Sequence, residues 1–376
     1  MTGTKPLKIT HVVTYASQDG AFGGPLAVAI EQTQALAALG HDVELVMGWD
    51  GKVEVNVPGV EVRLFPVRRV PRTGFSGYFS PALQHHLRAT LRRRDVVHVH
   101  LGRDLVTAPV ARRARRSSSA VFVQTHGMVA PDRRLRAAVF DRLFIRQALA
   151  GATRVLALTP EEEVGVAEVA RGRARIERIT NGVTVPQLLP KPSGDGSRIE
   201  VLFLARLHPR KRVLVFAEAA ALVAESLPDV QFAVVGPDEG DLDELRAFIS
   251  ERHLEDRVRY EGSVSPGAAP ARIAQATVYV LPSVGEVVPM SVLEALAVGT
   301  PTFITESNGL AGVLREHNAA VVVDENPTAL ALALCDVLVS EPRRRELAAA
   351  GRRIVDAQFS SAAVARNLEH LYVFPR

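Results

Sequence analysis

Two glutamates separated by seven residues, Glu286 and Glu294, lie where a strand is predicted to give way to a helix. The apolar, β-branched run Val278–Leu281 predicts a buried strand. A helix is predicted from Met290 up to Gly299, because glycine is favoured just past a helix end. Glu286 therefore falls on the loop at the carboxyl end of a strand, with Glu294 inside the following helix. In open α/β sheets this is the edge where ligands bind.

The chemistry expected at this edge combines an anion with hydroxyl groups. N–H groups and the helix dipole at a helix amino terminus favour phosphate. The carboxylate of Glu286 would repel that phosphate, so we expect Glu286 to face hydroxyl groups of the same ligand and Glu294 to reach a second set. A ligand with a phosphate centre and hydroxyls at both ends is a nucleotide sugar.

Two basic residues, Arg206 and Lys211, follow a second predicted strand at 199–204 and precede a predicted helix at 213–224. Such groups would stabilise a diphosphate, arginine through its planar fork and lysine as a point charge. Arginine greatly outnumbers lysine in this chain, so a compositional bias does not account for Lys211. The alternative is a solvated basic turn.

Three residues of the first half could contact the same ligand. His126 follows a predicted strand at 119–124, so it is either a structural histidine or a binding-site residue near a sugar. Gly23 and Gly24 precede a predicted helix and would let the backbone approach a phosphate or sugar closely. The alternative for this glycine pair is a flexible turn.

Two patterns that could indicate a metal site are given structural interpretations. His98 and His100 share one face of a predicted strand, but no third ligand follows, which favours a polar strand end. Asp241 and Asp243 match the D-x-D pattern of metal-dependent transferases, yet they open a predicted helix, where acidic residues interact favourably with the dipole. The sequence therefore predicts no metal.

The residues around the two glutamates resemble a known family. Pro282-Ser283, Leu293-Glu294-Ala295 and Gly299-Thr-Pro301 place them in the pattern P-S-x-x-E-x-x-x-x-x-x-L-E-A-x-A-x-G-x-P. This resembles the Glu-x7-Glu signature of the retaining family-4 glycosyltransferases of the GT-B fold. Further tracts are similar to the same family: Ala205 to Arg212 resembles G-R-L-x-x-x-K-G, Val230 to Gly240 resembles V-G-x-G/D-P, Val258 to Val264 resembles F-x-G, and Thr180 to Val183 resembles N-G-V/I.

Two departures from the family pattern stand out. Arg212 occupies the position of the usual glycine after Lys211. Val287-Val-Pro-Met290 follows the first glutamate where many relatives have Gly-Phe-Gly-Leu, and Pro289 has no N–H to offer a ligand.

The resemblance implies an α/β, GT-B architecture with two Rossmann-like domains facing each other across a donor-binding cleft. The implied activity is transfer of a sugar from a nucleoside diphosphate sugar to an acceptor hydroxyl, with retention of configuration and no metal or other cofactor. The implied catalytic residues are Glu286, His126, Arg206 and Lys211. The implied donor-binding residues are Gly23, Gly24, Arg206, Lys211, Gly236, Gly262, Val287, Val288, Met290, Ser291 and Glu294.

Other function classes stay open at this point. A nucleotide-sugar epimerase of the same fold or a non-catalytic sugar-nucleotide-binding subunit would use a similar site. A dinucleotide dehydrogenase is disfavoured, because no G-x-G-x-x-G follows any predicted strand.

A length of 376 residues favours two domains. We expect a first domain at 1–184, a Pro- and Gly-containing linker at 185–197 and a second, donor-binding domain at 198–359. The resemblance implies that the last helix, at about 360–376, packs back onto the first domain.

Charge is unevenly distributed along the chain. Residues 1–190 contain 26 Lys and Arg against 16 Asp and Glu, whereas residues 191–376 contain 19 against 25. The basic first half is consistent with contact to an anionic membrane surface or an acidic acceptor, or with an arginine-rich genome. Nucleic-acid binding is disfavoured, because no recognition motif accompanies the basic runs. The polar amino terminus, the absence of an apolar run of about 20 residues and the single Cys335 favour a cytoplasmic protein.

Overall fold

The computed structural model describes residues 5–16, 23–52, 54–71, 73–185 and 199–375. Apart from residue 185, the predicted linker lies outside the described residues. Contacts between residues divide the chain into two compact units. Unit 1 combines Met1–Gly182 with Ser361–Arg376, and unit 2 is Val183–Ser360.

Unit 1 is built around a parallel sheet of seven strands in the order β3-β2-β1-β6-β7-β8-β9. Its strands are β1 (Lys8–Ala16), β2 (Asp42–Trp49), β3 (Glu61–Pro66), β6 (Val96–His100), β7 (Ala120–Gln124), β8 (Arg154–Ala157) and β9 (Ile176–Arg178). A short antiparallel pair, β4 (Arg68–Arg69) and β5 (Tyr78–Phe79), stands apart from this sheet. The central strands are almost continuously buried, as expected for a parallel sheet covered on both faces.

The helices of unit 1 connect these strands. They are α1 (Gly23–Ala38), α2 (Pro81–Thr90), α3 (Thr107–Ala114), α4 (Leu135–Phe140), α5 (Arg146–Ala150), α6 (Pro160–Ala170) and, from the end of the chain, α14 (Ser361–Val373). A π-helical turn, Asp141–Ile145, joins α4 to α5. Helix α14 buries Val364, Leu368 and Tyr372 against Ile9 and Phe122 of the sheet, so the last residues complete the core of unit 1.

Unit 2 repeats the architecture with a six-stranded parallel sheet in the order β12-β11-β10-β13-β14-β15. Its strands are β10 (Glu200–Leu204), β11 (Gln231–Val235), β12 (Val258–Tyr260), β13 (Val278–Leu281), β14 (Thr302–Thr305) and β15 (Val321–Val323). Its helices are α7 (Val213–Ser226), α8 (Leu242–Glu251), α9 (Ala269–Gln275), α10 (Met290–Val298), α11 (Ala311–Glu316), α12 (Pro327–Val339) and α13 (Glu341–Ile354). Strands β10 and β13 are neighbours at the point where the strand order reverses, which is where such sheets bind ligands.

The predicted α/β class with Rossmann-like units is confirmed. The sequence did not predict the helical stretch from α4 to α5, because arginines interrupt its apolar pattern. The loop predicted at 68–77 contains β4 and a 3-10 turn, Gly74–Gly77, before β5 begins.

Candidate functional site

The site in unit 2 is centred on an ion pair between Lys211 and Glu286. Lys211 ends a 3-10 turn, Pro209–Lys211, after β10, and Glu286 lies on the loop after β13. The ammonium Nζ is 2.7 Å from Glu286 Oε1, and the two side chains are only 15% and 14% exposed. Two predicted site residues, 75 positions apart in sequence, are thus brought together at the carboxyl ends of adjacent strands.

Backbone contacts fix the loops that carry this pair. Arg210 donates from Nη2 to the carbonyl oxygen of Gly285 at 2.5 Å, and the N–H of Val284 donates to the carbonyl of Arg210 at 2.9 Å. The N–H of Gly309 donates to the carbonyl of Glu286 at 2.8 Å. The loops after β10, β13 and β14 therefore form one connected surface. The sequence analysis did not single out Arg210.

The first departure from the family pattern has a structural explanation. Arg212 adopts left-handed backbone angles, φ 57° and ψ 50°, which a glycine reaches without strain. Its Nη2 donates to the carbonyl of Glu325 at 2.9 Å, and its Nη1 lies 3.7 Å from the carboxylate of the same residue. These contacts help to offset the cost of a left-handed arginine, so the turn keeps the shape that glycine would give it.

Helix α10 begins immediately beside the ion pair. Ser291, in its first turn, has its hydroxyl 2.8 Å from the hydroxyl of buried Tyr279, which is also 3.1 Å from the carbonyl of Leu204. Burial raises the pKa of Tyr279, and the charges of Glu294 and Glu286 raise it further. Both glutamate charges therefore act on Tyr279, the partner of Ser291. Val288 is mostly buried, whereas Val287 and Met290 are half-buried.

Arg206 makes a contact different from the one expected. Its Nη1 lies 2.8 Å from both carboxylate oxygens of Glu239, on the loop after β11, and its side chain is 49% exposed. The expectation that Arg206 acts together with Lys211 on a diphosphate stays a prediction. Its charge is directed to a glutamate that the sequence analysis did not consider.

Gly236 allows the loops after β10 and β11 to meet. Its φ is 150°, and a Cβ on it would lie 1.8 Å from the carbonyl oxygen of Ala205. Its N–H donates to the carbonyl of Gly262 at 2.8 Å, and its carbonyl accepts from the hydroxyl of Tyr260 at 2.9 Å. Gly236 and Gly262 therefore shape one backbone platform at the strand ends.

In unit 1, His126 follows β7 in a left-handed conformation with φ 50°. Glu162 holds the residues on both sides of it: its Oε1 accepts from the Thr125 hydroxyl and from the N–H of Gly127, each at 2.5 Å. The Glu162 Oε2 accepts from the N–H of Leu158 at 2.7 Å. The unusual backbone of His126 is thus determined by a buried carboxylate that the sequence did not reveal.

His126 is the outer member of a set that we call the histidine chain: His126, His100, His11, Tyr372 and His98. All but half-buried His126 are buried. His98 and His100, interpreted from the sequence as a polar strand end, lie in the last three residues of β6, and both side chains are buried.

Burial determines the protonation of this chain. It lowers the pKa values of His11 and His126 to about 3. It also holds those of His98 and His100 well below their usual value, and repulsion between charged rings adds to this effect. All four imidazoles are therefore neutral at physiological pH.

Gly23 and Gly24 form the start of α1. Gly24 is exposed, and a Cβ on it would meet nothing within 4 Å among the described residues, so packing there does not require glycine.

Among the described residues, no group of three or more His, Cys, Asp and Glu side chains could hold a metal ion. Asp241 is the residue before α8, and Asp243 lies in its first turn.

Two family models match the chain. The model of "Glycosyl transferases group 1" matches residues 188–354, and that of "Glycosyl transferase 4-like domain" matches residues 23–182. Together the two ranges take up most of the chain.

Curated relatives are similar over different lengths. Phosphatidyl-myo-inositol mannosyltransferase of Mycobacterium leprae is 32% identical over 52% of this chain and 52% of that protein. That alignment spans about half of either length. D-inositol 3-phosphate glycosyltransferase of Frankia alni is 26% identical over 94% of this chain and 95% of that protein.

Solved structures show the same fold. Anabaena Alr3699/HepE, in complex with UDP and glucose, has a TM-score of 0.74 at 16% identity, covering 98% of this chain and 99% of that one. This likeness confirms the predicted GT-B fold.

The close approach at Gly236 predicts a large effect of a single methyl group. Gly236→Ala is expected to lower the free energy of unfolding of unit 2 by about 3 kcal/mol or more. The alanine would have to adopt a φ that residues other than glycine rarely reach, and its Cβ would also clash with the backbone of Ala205. Gly312→Ala, where a Cβ meets nothing within 4 Å, is the matched control and should be neutral or stabilising. Urea unfolding measures both, and equal stability of the two variants would contradict the assignment.

The neutral histidines predict acid sensitivity of unit 1. Between pH 6.5 and about 3 the unfolded state binds protons on His11 and His126 that the folded state does not bind. The stability that these two neutral histidines contribute should therefore be fully present above pH 6.5. Between pH 6.5 and about 3, the free energy of unfolding should decrease by about 1.4 kcal/mol per pH unit for each histidine. Asp104 opposes this trend, because burial raises its pKa to about 6.

Fluorescence of Trp49, the one tryptophan and part of β2, reports the unfolding of unit 1. In His11→Gln the dependence of stability on pH should decrease by about one proton, whereas exposed His85→Gln should leave it unchanged. If the dependence of stability on pH is unchanged in His11→Gln, then His11 takes up its proton in the folded protein over the same pH range as in the unfolded chain.

Proposed function

This chain belongs to the glycosyl transferases group 1 family, and from that premise we propose that it transfers a sugar from a nucleoside diphosphate sugar to an acceptor hydroxyl. The transfer is proposed to retain the anomeric configuration and to need no metal ion. The observation that carries this proposal is the Lys211–Glu286 ion pair beside the first turn of α10.

The charges at this pair suit such a donor. Glu286 accepts from Lys211 through Oε1, and its Oε2 is proposed to accept hydrogen bonds from sugar hydroxyls. The lysine ammonium and the first-turn N–H groups of α10 provide positive charge for the two phosphates. Glu294, inside the same helix, is proposed to contact the ribose hydroxyls.

The costly step is the departure of the diphosphate while the sugar gains positive charge. Lys211 and the α10 amino terminus would stabilise the developing negative charge, and a preorganised donor of this kind is worth about 3 kcal/mol. Positive charge built into the protein can do what a metal would otherwise do. The acceptor proton is proposed to pass to the leaving phosphate oxygen on the same face, with His126 holding the sugar.

Similar proteins support this class of donor. Alr3699/HepE was solved with UDP and with UDP-glucose, and a relative from Mycobacterium tuberculosis is named as a GDP-mannose-dependent mannosyltransferase. Both names describe sugars carried on a nucleoside diphosphate. The acceptors in the names of the relatives include a phosphatidyl-inositol and inositol 3-phosphate.

A donor screen tests the proposal. The full chain is incubated with UDP-glucose, UDP-galactose, UDP-N-acetylglucosamine or GDP-mannose in excess EDTA, with and without inositol 3-phosphate or phosphatidylinositol. Mass spectrometry should show release of UDP or GDP with a glycosylated product, and NMR should show the donor's anomeric configuration in it. Isomerised donor without an acceptor product would indicate an epimerase, and binding without turnover would indicate a non-catalytic subunit.

Variants connect turnover to the ion pair. Lys211→Met should lower kcat by roughly 100-fold or more, because it removes the charge that faces the diphosphate. Exposed Lys52→Met is the matched control and should retain activity. Near-normal turnover of Lys211→Met, with the fold intact, would refute the diphosphate role of Lys211.

We also propose that unit 1 contacts an anionic membrane through one surface, which we call the arginine face. Leu135, Val139 and Leu143 lie four residues apart and are 79%, 50% and 50% exposed. Arg133, Arg136 and Arg142 are their exposed neighbours in sequence, and Arg112, Arg113 and Arg116 of the segment that includes α3 lie beside Phe144. An exposed apolar stripe flanked by arginine is typical of helices that lie in a membrane interface.

Two acidic residues near this surface, Asp132 and Asp141, pair with arginines other than those named for the arginine face, so they leave the charge of the named arginines in place. Asp132 binds Arg134, and buried Asp141 binds Arg103. A cavity of about 330 Å³ adjoins the stripe; it is lined by Pro109, Arg112, Arg113, Arg116 and Phe144. Its three guanidinium groups fit a phosphate headgroup. In the described residues, no helix is long and apolar enough to cross a bilayer.

Vesicle sedimentation tests the arginine face. The native chain should bind vesicles containing phosphatidylglycerol and not vesicles of phosphatidylcholine alone, with binding weakened by salt. Arg112→Ala with Arg116→Ala should weaken binding roughly 30-fold, at about 1 kcal/mol per arginine. Leu143→Glu should abolish insertion, whereas Leu332→Glu, at an equally apolar exposed site of unit 2, should bind normally. Equal binding of all variants would exclude this surface.

A further inference from the structure

The histidine chain is continuous from the surface to the interior of unit 1. His126 Nε2 lies 2.8 Å from His100 Nδ1, and His100 Nε2 lies 3.0 Å from His11 Nδ1. His11 Nε2 lies 3.4 Å from the hydroxyl of Tyr372, which lies 2.6 Å from His98 Nδ1. Strands β1 and β6, the loop after β7 and the last helix, α14, contribute its members.

The rings are also stacked, so they cannot turn independently. The His100 and His126 centroids are 5.0 Å apart at 13°, and those of His98 and His100 are 4.7 Å apart at 10°. His11 stacks on His98 at 4.4 Å. Packed, buried imidazoles keep their orientation, so the hydrogen bonds between them are fixed partners.

Counting protons leaves two possible directions of hydrogen bonding along the chain. A neutral imidazole carries one N–H, so one of its nitrogens donates and the other accepts. His100 and His11 each use both nitrogens within the chain. If His100 donates to His126, His100 must accept from His11, and His11 must accept from the Tyr372 hydroxyl. Tyr372 has one proton, so it must then accept from His98.

The reverse direction obeys the same rule at every link. In the first direction all four histidines carry their proton on Nδ1, and in the second all four carry it on Nε2. A mixed set among His126, His100 and His11 breaks at least one of the hydrogen bonds between them, and a set in which only His98 differs leaves either the Tyr372 proton or a ring nitrogen beside it without a partner in the chain; an unpaired buried polar group costs free energy. The outward nitrogen of His126 is thus either a donor in one direction or an acceptor in the other.

We propose that His100, His11, Tyr372 and His98 are positioning residues that couple the tautomer of His126 to their own, so that all four histidines share one tautomer. This inference rests on the proposed role of His126 at the donor sugar and extends it to residues buried behind it. A histidine of fixed tautomer recognises a sugar hydroxyl in one sense only, as its donor or as its acceptor. The partner of the second nitrogen determines which, and here that partner is His100.

NMR of the full chain with ¹⁵N-labelled histidine tests this proposal without any substrate. Long-range proton–nitrogen spectra distinguish Nδ1–H, Nε2–H and charged rings, and the His126→Gln variant identifies the His126 signals. We expect four neutral rings, either all Nδ1–H or all Nε2–H. Mixed tautomers among His126, His100 and His11, or a charged ring at pH 7, would overturn the proposal.

Cutting the chain far from His126 tests the coupling. Tyr372→Phe removes one hydroxyl and keeps the buried ring, so the ring nitrogen shifts of His11, His100 and His126 should move towards averaged tautomer values. Tyr78→Phe, a half-buried tyrosine of the same unit, is the control and should leave the His126 signals unchanged. Unchanged signals in Tyr372→Phe would show that no coupling reaches His126.

Turnover, with whichever donor the screen selects, tests the link to the reaction. His100→Leu should lower kcat roughly tenfold, the value of one orienting hydrogen bond, with little change in KM. His100→Asn, which keeps a polar atom near the Nδ1 position, should recover most of it. In a His126→Gln background, His100→Leu should have no further effect. A full additional loss there, or normal activity of His126→Gln itself, would refute positioning, while the NMR result stands independently of the donor.

Discussion

The candidate site in unit 2 depends on one ion pair between residues far apart in the chain. Lys211 and Glu286 reach each other because β10 and β13 are adjacent parallel strands, so the loops at their carboxyl ends meet. With both side chains mostly buried, the pair is screened less than a surface pair would be. It fixes a carboxylate acceptor and an ammonium donor side by side, next to a helix amino terminus. A ligand that carries hydroxyls and phosphate satisfies all three.

Unit 1 places neutral polar groups, the imidazoles of the histidine chain, among its buried residues. The histidine chain runs through β1, β6 and the loop after β7, and burial keeps its imidazoles uncharged. A buried neutral network is stable only if its hydrogen bonds are made. Tyr372 is therefore a structural condition for the rings as well as a core residue, and α14 has to pack on unit 1 for the network to close. The two units thus hold their polar residues by different physical means.

Periodicity predicted most of the strands, and it also placed Glu286 and Lys211 on loops at the ends of two of them. Pairings across long sequence separations were not predictable in the same way. Arg206 and Glu239 are 33 residues apart, and His98 and Tyr372 are 274 apart, so no local pattern connects them. The alternation of His98 and His100 was visible, but a period of two does not state which face is buried. Glu162 belongs to the first turn of α6, where a glutamate is expected for helix reasons alone.

The two departures from the family pattern have different consequences for the site. Arg212 is a local exchange: a left-handed arginine anchored on Glu325 keeps the turn in place, so Lys211 still reaches Glu286. The Val287 to Met290 segment acts on the ligand side instead. Pro289 precedes α10 and donates no hydrogen bond, and Val288 turns largely into the core. Under the proposed function, fewer backbone donors would face a phosphate at this loop, and Lys211 and the first turn of α10 would stabilise more of its charge. Under the proposed function, the hydroxyl contacts of Glu286 and Glu294 would then matter more for the choice of donor than backbone contacts to phosphate.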